Sequence, residues 1–308
     1  MDFLKGWRGR KVLVTGATGF IGRHVVRQGL EAGVEVHRLS SRESDPSANT
    51  HRGDLNDPAR VSQVFDAVEP EGVIHLAASG VAYGANEVRE LVEANALGLV
   101  NLFEAALTLR TMPAFVLAGS GFEYAQRPRP LSEADPVEPF SPYGVSKACA
   151  SLCARLYAER MSVTLLRLFS VYGPGEREPR LLPHLVGCAR RGQPVELTGC
   201  EQVRDYTHVA DAAESFWRAL ASAPPACTMR VLNIGTGSPV TLKQFVLHAA
   251  DALRAAGHTP ELLFGAKPYR PGEPMVYTAE VGLARKTLGW LPSSELEAGV
   301  RSAVACMI

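Results

Sequence analysis

The sequence has no apolar run near the roughly 18 uncharged residues that crossing a bilayer demands, so a membrane span is not expected. Its opening stretch, MDFLKGWRGRK, carries charge but is not followed by an apolar segment with a small-residue cleavage site. It leads straight into a first strand and reads as a short arm of a cytoplasmic protein. A surplus of one charge is missing too, with 32 Lys plus Arg against 32 Asp plus Glu. A nucleic-acid partner, which calls for a net basic surface, gains no support, and only a local basic pocket remains open. The six cysteines, Cys149, Cys153, Cys188, Cys200, Cys227 and Cys306, are scattered without a metal-binding spacing. Cys149 and Cys153 lie one helical turn apart but would need two further ligands, so buried thiols and no metal are expected. Internal repeats and low-complexity segments are absent as well.

What is present suits a compact globule. Hydrophobic residues fill 46% of the 308 positions, enough to bury one large core and a smaller accessory lobe. Residues 11–15, KVLVT, form an apolar run ending in a glycine turn, and IGRHVVRQGLEAG after it carries a helical period. Gly33 stops that helix before a second strand, VEVHRL at 34–39. The alternation continues through helix RVSQVFDAVEP, buried strand GVIHLAA, long helix VRELVEANALGLVNLFEAALTL, strand AFVLAGS, a helix near 142–160 and strand SVTLLRLFSVYG. Such spacing predicts right-handed crossovers and an α/β fold of Rossmann type, a parallel sheet with helices on both faces.

After Gly173 the pattern turns irregular, with helices predicted around 180–191, over DYTHVADAAESFWRALA and at 241–256, and short strands at VELTG and 231–235. The expected division is a dinucleotide-binding domain over 10–172, completed by segments near 206–236. Residues 173–205 and 237–308 would form a smaller interleaved C-terminal lobe. No clean linker separates the two, so a substantial contact should lock them together.

VTGATGFIGRHV places Gly16, Gly19 and Gly22 between a strand and a helix. Gly16 permits the tight turn, Gly19 the approach of a pyrophosphate to the backbone, and Gly22 close helix packing. The N–H groups of the first helical turn would face the phosphates. Thr18 lies in the same turn, and Phe20 and Ile21 pack within it. An NAD site normally carries a carboxylate at the end of the second strand. Here that position holds Ser40, Ser41 and Arg42, with Arg38 just before, and no carboxylate occurs until Glu43. Hydroxyls and guanidinium groups suit a 2′-phosphate, so NADP is expected ahead of NAD. Asp54 can accept from the adenine amino group, with Leu55 against the ring; helix capping, the competing role, suits Asp57 better. Leu76, Ala77 and Ala78 end the next strand, where the small alanines leave room for a ribose or simply pack well.

In PYGVSK at 142–147, Tyr143 and Lys147 lie four apart, so a helix puts both side chains on one face. A phenol near its usual pKa of about 10 is a poor acid or base at neutral pH, and a neighbouring ammonium and a nicotinium charge should lower it. Ser120 ends the strand AFVLAGS at the carboxyl edge of the sheet, where its hydroxyl can hold the oxygen that Tyr143 protonates or can cap a turn.

These segments resemble the extended short-chain dehydrogenase/reductase family, in its nucleotide-sugar epimerase, dehydratase and ketoreductase branch. The likeness runs from about Lys11 to Val304 on GATGFIG, GDL, HLAA, PYGVSK, VYGPGE, RDYTHVAD, RPGE and LGW. The resemblance implies that Tyr143 is the acid or base, Lys147 its electrostatic and ribose-binding helper, and Ser120 the orienting hydroxyl. It likewise implies Asn95 as the helix asparagine beside the cofactor, and Arg204 and Arg270 as the clamp on a substrate diphosphate. Ser170, where many relatives carry Asn, and Arg180 complete the expected substrate set. Asp205 and Asp211 are expected to support loops and caps.

Family dehydratases follow the active-site hydroxyl with Asp and Glu, whereas Ser120 is followed by Gly121 and Phe122, with Glu123 one place late. This argues against a 4,6-dehydratase. GSGFEYA resembles deoxysugar 4-ketoreductases, and with the NADP preference the expectation is NADPH-dependent reduction of a nucleotide-linked 4-keto-6-deoxyhexose. A C4 epimerase with tightly bound NAD is the enzymatic alternative, and a non-catalytic nucleotide-binding protein the other. The resemblance also implies a homodimer through helices near 86–109 and 142–160.

Overall fold

The computed structural model describes residues 2–41, 49–80 and 87–308; Arg42 and Glu43 lie outside them. The first half alternates β1 (Lys11–Thr15), α1 (Phe20–Glu31), β2 (Glu35–Ser40), β3 (Thr50–Arg52), α2 (Pro58–Val68) and β4 (Gly72–His75). It continues with α3 (Val88–Val92), α4 (Gly98–Ala106), β5 (Ala114–Ser120), α5 (Pro142–Tyr157), β6 (Ser162–Leu168) and β7 (Ser170–Tyr172). The second half holds α6 (Leu181–Arg190), β8 (Val195–Glu196), β9 (Val203–Arg204), β10 (Tyr206–His208), α7 (Val209–Ala221) and β11 (Thr228–Ile234). Last come β12 (Val240–Thr241), α8 (Leu242–Ala255), β13 (Leu262–Leu263), β14 (Val276–Tyr277), α9 (Gly282–Leu288) and α10 (Leu296–Ala305).

Seven strands pair in the order β11-β6-β5-β4-β1-β2-β3, and every pairing is parallel. This is the expected Rossmann-type α/β sheet. β4 is buried at all four positions and β6 at six of seven, the near-continuous burial that helices on both faces impose. On one face Val25, Phe216 and Trp217 pack with Val12, Val14 and Ile74; on the other Phe65, Leu102, Phe103 and Ala154 pack with Leu13, Phe115 and Val163. The helices start where local chemistry starts them. Asp57 caps α2 by accepting from Arg60 N–H at 3.0 Å ahead of Pro58, and Ser141 caps α5 by accepting from Gly144 N–H at 3.1 Å ahead of Pro142. Strand order reverses between β1 and β4, which opens a crevice at the carboxyl ends of those strands.

The long helix expected over 88–109 is interrupted. A π-helical turn at Glu93–Leu97 separates α3 from α4 and carries Asn95 inward. The strand expected over 162–173 also divides: β7 leaves the large sheet to pair in parallel with β10. Of the cysteines, Cys188 and Cys200 are buried, whereas Cys227 and Cys306 are exposed, so the expectation of buried thiols holds for only part of the set.

The smaller C-terminal region has its own core, in which Leu185 and Val186 of α6 meet Phe245, Val246 and Leu253 of α8 and Val300 and Val304 of α10. A three-stranded sheet, β12-β9-β14, brings Arg204 beside Tyr277. Two buried aspartates tie the chain together. Asp205 accepts from Thr236 N–H and Oγ1, both at 2.6 Å, and from Gly237 N–H at 2.9 Å. Asp211 accepts from Ser293 Oγ at 2.8 Å and from the Ser293 and Ser294 amides. Both therefore hold loops, the supporting role expected of them. Among the described residues no helix is long and apolar enough to cross a membrane.

Candidate active site

The glycine turn after β1 is cut to fit. Gly16 has φ +67, and a Cβ there would sit 2.6 Å from the Ala77 amide nitrogen, so any side chain would collide with the end of β4. A Cβ on Gly22 would lie 2.0 Å from the Gly16 carbonyl oxygen. Gly19 is the N-cap of α1, and no side chain caps the helix. The first-turn N–H groups of Phe20, Ile21 and Gly22 thus lack a side-chain partner, the arrangement that receives a dinucleotide pyrophosphate. Thr18 is exposed at the mouth and lines an open groove of about 520 Å³ with Ala17, Arg23, Arg27 and Arg38. β2 ends at Ser40, whose carbonyl accepts from Gly53 N–H at 3.0 Å, and Ser41 is exposed. Asp54 is exposed and accepts from Asn56 N–H at 3.0 Å, while Asn101 holds the Leu55 carbonyl at 2.7 Å. Leu76 and Ala77 are half-buried and Ala78 is exposed at the edge of the crevice.

Asn95 does not present its amide to the crevice. It accepts from Ser79 N–H at 2.7 Å and donates to the Ser79 carbonyl at 3.0 Å and Ser146 Oγ at 2.9 Å. Ser146 in turn donates to the Tyr143 carbonyl at 2.8 Å, so Asn95 fastens the loop after β4 to the helix that carries Tyr143. Its hold on the cofactor region is indirect.

Ser120 and Tyr143 come together at the carboxyl end of β5, and Lys147 follows one turn along α5, beside Leu117 and Ala118 of β5. The Ser120 hydroxyl accepts from Phe122 N–H at 3.2 Å, which is the capping role, and it also acts on the phenols of Tyr143 and Tyr277. Burial pushes the Tyr143 phenol well above its usual value and the charge of Glu123 adds to this, while Arg180 and Ser120 pull it down. Arg180, from the smaller lobe, is a cation acting on the phenol that the helix spacing did not indicate. Burial pushes the Lys147 ammonium down, opposed by Glu123. Lys147 lines a water-sized cavity of about 10 Å³ with His75, Asn95 and Ser151. Desolvation and the Lys147 charge hold His75 neutral, pushed down to about 3.

Glu123 is fully buried and faces inward. Its Oε1 accepts from Ser120 N–H at 2.8 Å; its Oε2 accepts from Ser151 Oγ at 2.7 Å and Arg167 Nε at 2.9 Å. The Arg167 guanidinium stacks over the Tyr124 ring, 4.3 Å from its centroid. Sequence reasoning noticed Glu123 only as a misplaced acid, and it missed Tyr277, which stacks on Phe122 at 4.6 Å between ring centroids. Tyr277 lies four residues beyond the RPGE segment, which was the available signal. Arg204 donates to Glu273 Oε1 at 2.7 Å, and Glu273 N–H bonds the Arg270 carbonyl, so both arginines share one corner. Ser170 is half-buried and donates its N–H to the Asp205 carbonyl at 3.2 Å, while Arg180 pairs with Glu176.

A model of the "NAD dependent epimerase/dehydratase family" matches residues 12–235. The chain belongs to that family. Among its members, UDP-glucuronate 4-epimerase 1 of Arabidopsis thaliana is 30% identical over 96% of this chain and 76% of the relative. The solved structure of MoeE5 in complex with UDP-glucose and NAD is 32% identical with a TM-score of 0.85, covering 96% of this chain and 98% of the other. That of the UDP-glucose 4-epimerase of Thermus thermophilus in complex with NAD is 30% identical with a TM-score of 0.81, at the same coverages.

These findings overturn two expectations, reduction of a 4-keto-6-deoxyhexose and a preference for NADP. The similar proteins include 4-epimerases and the similar structures hold NAD. The physical reason for the second error is that serine hydroxyls accept as readily as they donate. Ser40 and Ser41 can serve the ribose hydroxyls of NAD without a carboxylate, and Arg38 lines the groove with Thr18, Arg23 and Arg27. The family's NAD(P)-binding site and its nucleotide-sugar chemistry stand.

Proposed function

We propose that the protein is an NAD-dependent nucleotide-sugar 4-epimerase with Ser120, Tyr143 and Lys147 as its catalytic residues. The observation that carries this reading is Glu123. Its oxygens are taken by Ser120 N–H, Ser151 and Arg167, so the acid that follows the hydroxyl is unavailable to expel water, while Ser120 and Tyr143 remain to handle C4. A dehydratase needs the first chemistry and an epimerase only the second. When bound, the dinucleotide supplies a hydride acceptor and donor at C4. Tyr143 takes the proton of the C4 hydroxyl and returns it to the same oxygen once the keto sugar presents its opposite face, Ser120 holds the reacting oxygen, and Lys147 stabilises the phenolate. Gly16, Gly19 and Gly22 with Thr18 cradle the pyrophosphate, Ser40 and Ser41 meet the adenine ribose, and Asp54 and Leu55 flank the adenine. Arg204 and Arg270 hold the substrate diphosphate, with Ser170 beside the sugar, so remote binding energy positions C4.

The test is NMR of UDP-glucose or UDP-glucuronate incubated with the protein and no added reductant. Appearance of the C4 epimer is expected, and Tyr143→Phe should lower kcat about 10²- to 10⁴-fold. A full-rate Tyr143→Phe enzyme would remove the catalytic assignment. Absence of epimer with any such sugar would remove the reaction. A homodimer through the α3–α5 face is part of the same proposal, supported by Leu97, Leu152 and Leu156, which are 50%, 60% and 70% exposed there.

A further inference from the structure

Tyr277, on β14 of the smaller region, is buried, and its ring packs on Phe122 at 4.6 Å between centroids and on Phe169 at 4.8 Å. Its neighbours fix where the hydroxyl lies. The oxygen stands 3.5 Å from the Leu168 carbonyl oxygen, and Leu168 is the β6 residue paired with Ser120 across the sheet. It also fills the room beside Gly121, where a Cβ would sit 2.7 Å from it. The Tyr277 hydroxyl is therefore placed at the Ser120–Gly121 step, and the Ser120 hydroxyl acts on it. Burial pushes this phenol far up, so it keeps its proton at neutral pH and serves as a donor.

A serine hydroxyl has one proton and two lone pairs. One lone pair of Ser120 Oγ takes the Phe122 N–H at 3.2 Å. At 3.5 Å the Leu168 carbonyl is beyond a good O–H···O bond, which leaves the phenolic proton of Tyr277 to the other lone pair. We propose that Tyr277 is a positioning residue that donates to Ser120 Oγ, so that both lone pairs of Ser120 are occupied and its own proton is turned to the C4 oxygen of the substrate. This rests on the 4-epimerase reading above. Both forms of C4 place the same demand on Ser120. The alcohol gives its proton to Tyr143 and accepts from Ser120; the ketone has only lone pairs and accepts from Ser120 as well. A serine free to accept would compete with Tyr143 for the proton of the alcohol. Tyr277 closes that option while its own proton stays on the phenol.

Four full-length proteins test it: wild type, Tyr277→Phe, Ser120→Ala and the double variant, each supplied with NAD and UDP-glucose and read by NMR of the C4 epimer. Tyr277→Phe keeps the ring on Phe122 and Phe169 and deletes only the donor. Its kcat should fall about three- to tenfold, the worth of one hydrogen bond between neutral groups, with KM within about twofold of wild type. In the Ser120→Ala background the same change should alter kcat by less than about 1.5-fold, because Tyr277 acts through Ser120. Equal losses in the two backgrounds, or a wild-type kcat in Tyr277→Phe, overturn the inference. Urea unfolding of the same four proteins reads the contact without turnover. The double variant should lose less in midpoint than the two single losses added, and additive losses also overturn the inference. A wild type that yields no epimer removes the 4-epimerase reading, and the unfolding cycle then decides by itself whether Tyr277 holds Ser120.

Discussion

Glu123 and Glu176 are both buried glutamates beside the candidate active site, and both face an arginine, yet their surroundings differ in kind. Glu123 gathers three donors from β5, α5 and β6, and its guanidinium partner is stacked on Tyr124. Glu176 has Arg180 at a loose 3.4 Å from Oε1 and the Gly173 backbone acting on its carboxyl, and Oε2 has no hydrogen-bond partner. Burial accordingly pushes the Glu176 carboxyl up to about 7, against the opposing pull of Arg180 and the Gly173 backbone. A satisfied buried charge fixes geometry, here the start of the turn that presents the Ser120 hydroxyl. An unsatisfied one is costly to keep charged, and its carboxyl holds a proton more readily instead.

Cutting Glu123 out is the most damaging way to test the contrast. Glu123→Ala leaves Arg167 buried without its charge partner and the Ser120 amide without an acceptor. Denaturant unfolding should register a loss of about 3–5 kcal/mol, the usual cost of breaking a buried pair from one side. A loss within 1 kcal/mol, on that same scale of roughly 3–5, would mean the pair is not the fastening described here.

Glu176→Gln should do the reverse at alkaline pH. A carboxyl raised from 4.5 to about 7 binds its proton more tightly in the folded chain than in the unfolded one. Its burial therefore costs nothing below the unfolded value, costs progressively more as pH rises through the interval, and exacts the full penalty above the folded value. The shift corresponds to about 3 kcal/mol, so the variant should be more stable than wild type by up to about that much at pH 8 and near parity at pH 4. Unfolding curves at the two pH values decide this, and a variant less stable than wild type at pH 8 would place Glu176 in the same class as Glu123.

The contrast also marks what could be read in the chain beforehand. The glycine turn, the strand alternation and the spacing of Tyr143 and Lys147 are local, so the parallel sheet and the place of the candidate site on it were legible. Ser120 was legible because strand ends at the carboxyl edge are few. Glu123 finds Arg167 from 44 positions away, and nothing in GSGFEYA names that partner. Arg180 acts on Tyr143 from the other lobe, a cation that the spacing within PYGVSK could not indicate. The misjudged cofactor has a different origin. Hydroxyl side chains accept and donate alike, so Ser40 and Ser41 do not distinguish a ribose from its 2′-phosphate.

Removing one donor from the satisfied glutamate should produce the smallest effect, and an informative one. Ser151→Ala deletes the hydroxyl that donates to Glu123 Oε2 at 2.7 Å but leaves Arg167 on the same oxygen and the Ser120 amide on the other. No charge is stranded, and the void is that of a single oxygen beside an existing water-sized cavity lined by Ser151 and Lys147. The expected cost in denaturant unfolding is about 1.5–3 kcal/mol, that of one hydrogen bond to a charged group. A cost equal to that of Glu123→Ala would mean that Ser151 rather than Arg167 holds the carboxylate, and the origin of the difference between the two glutamates would then lie in α5 instead of in the arginine on β6.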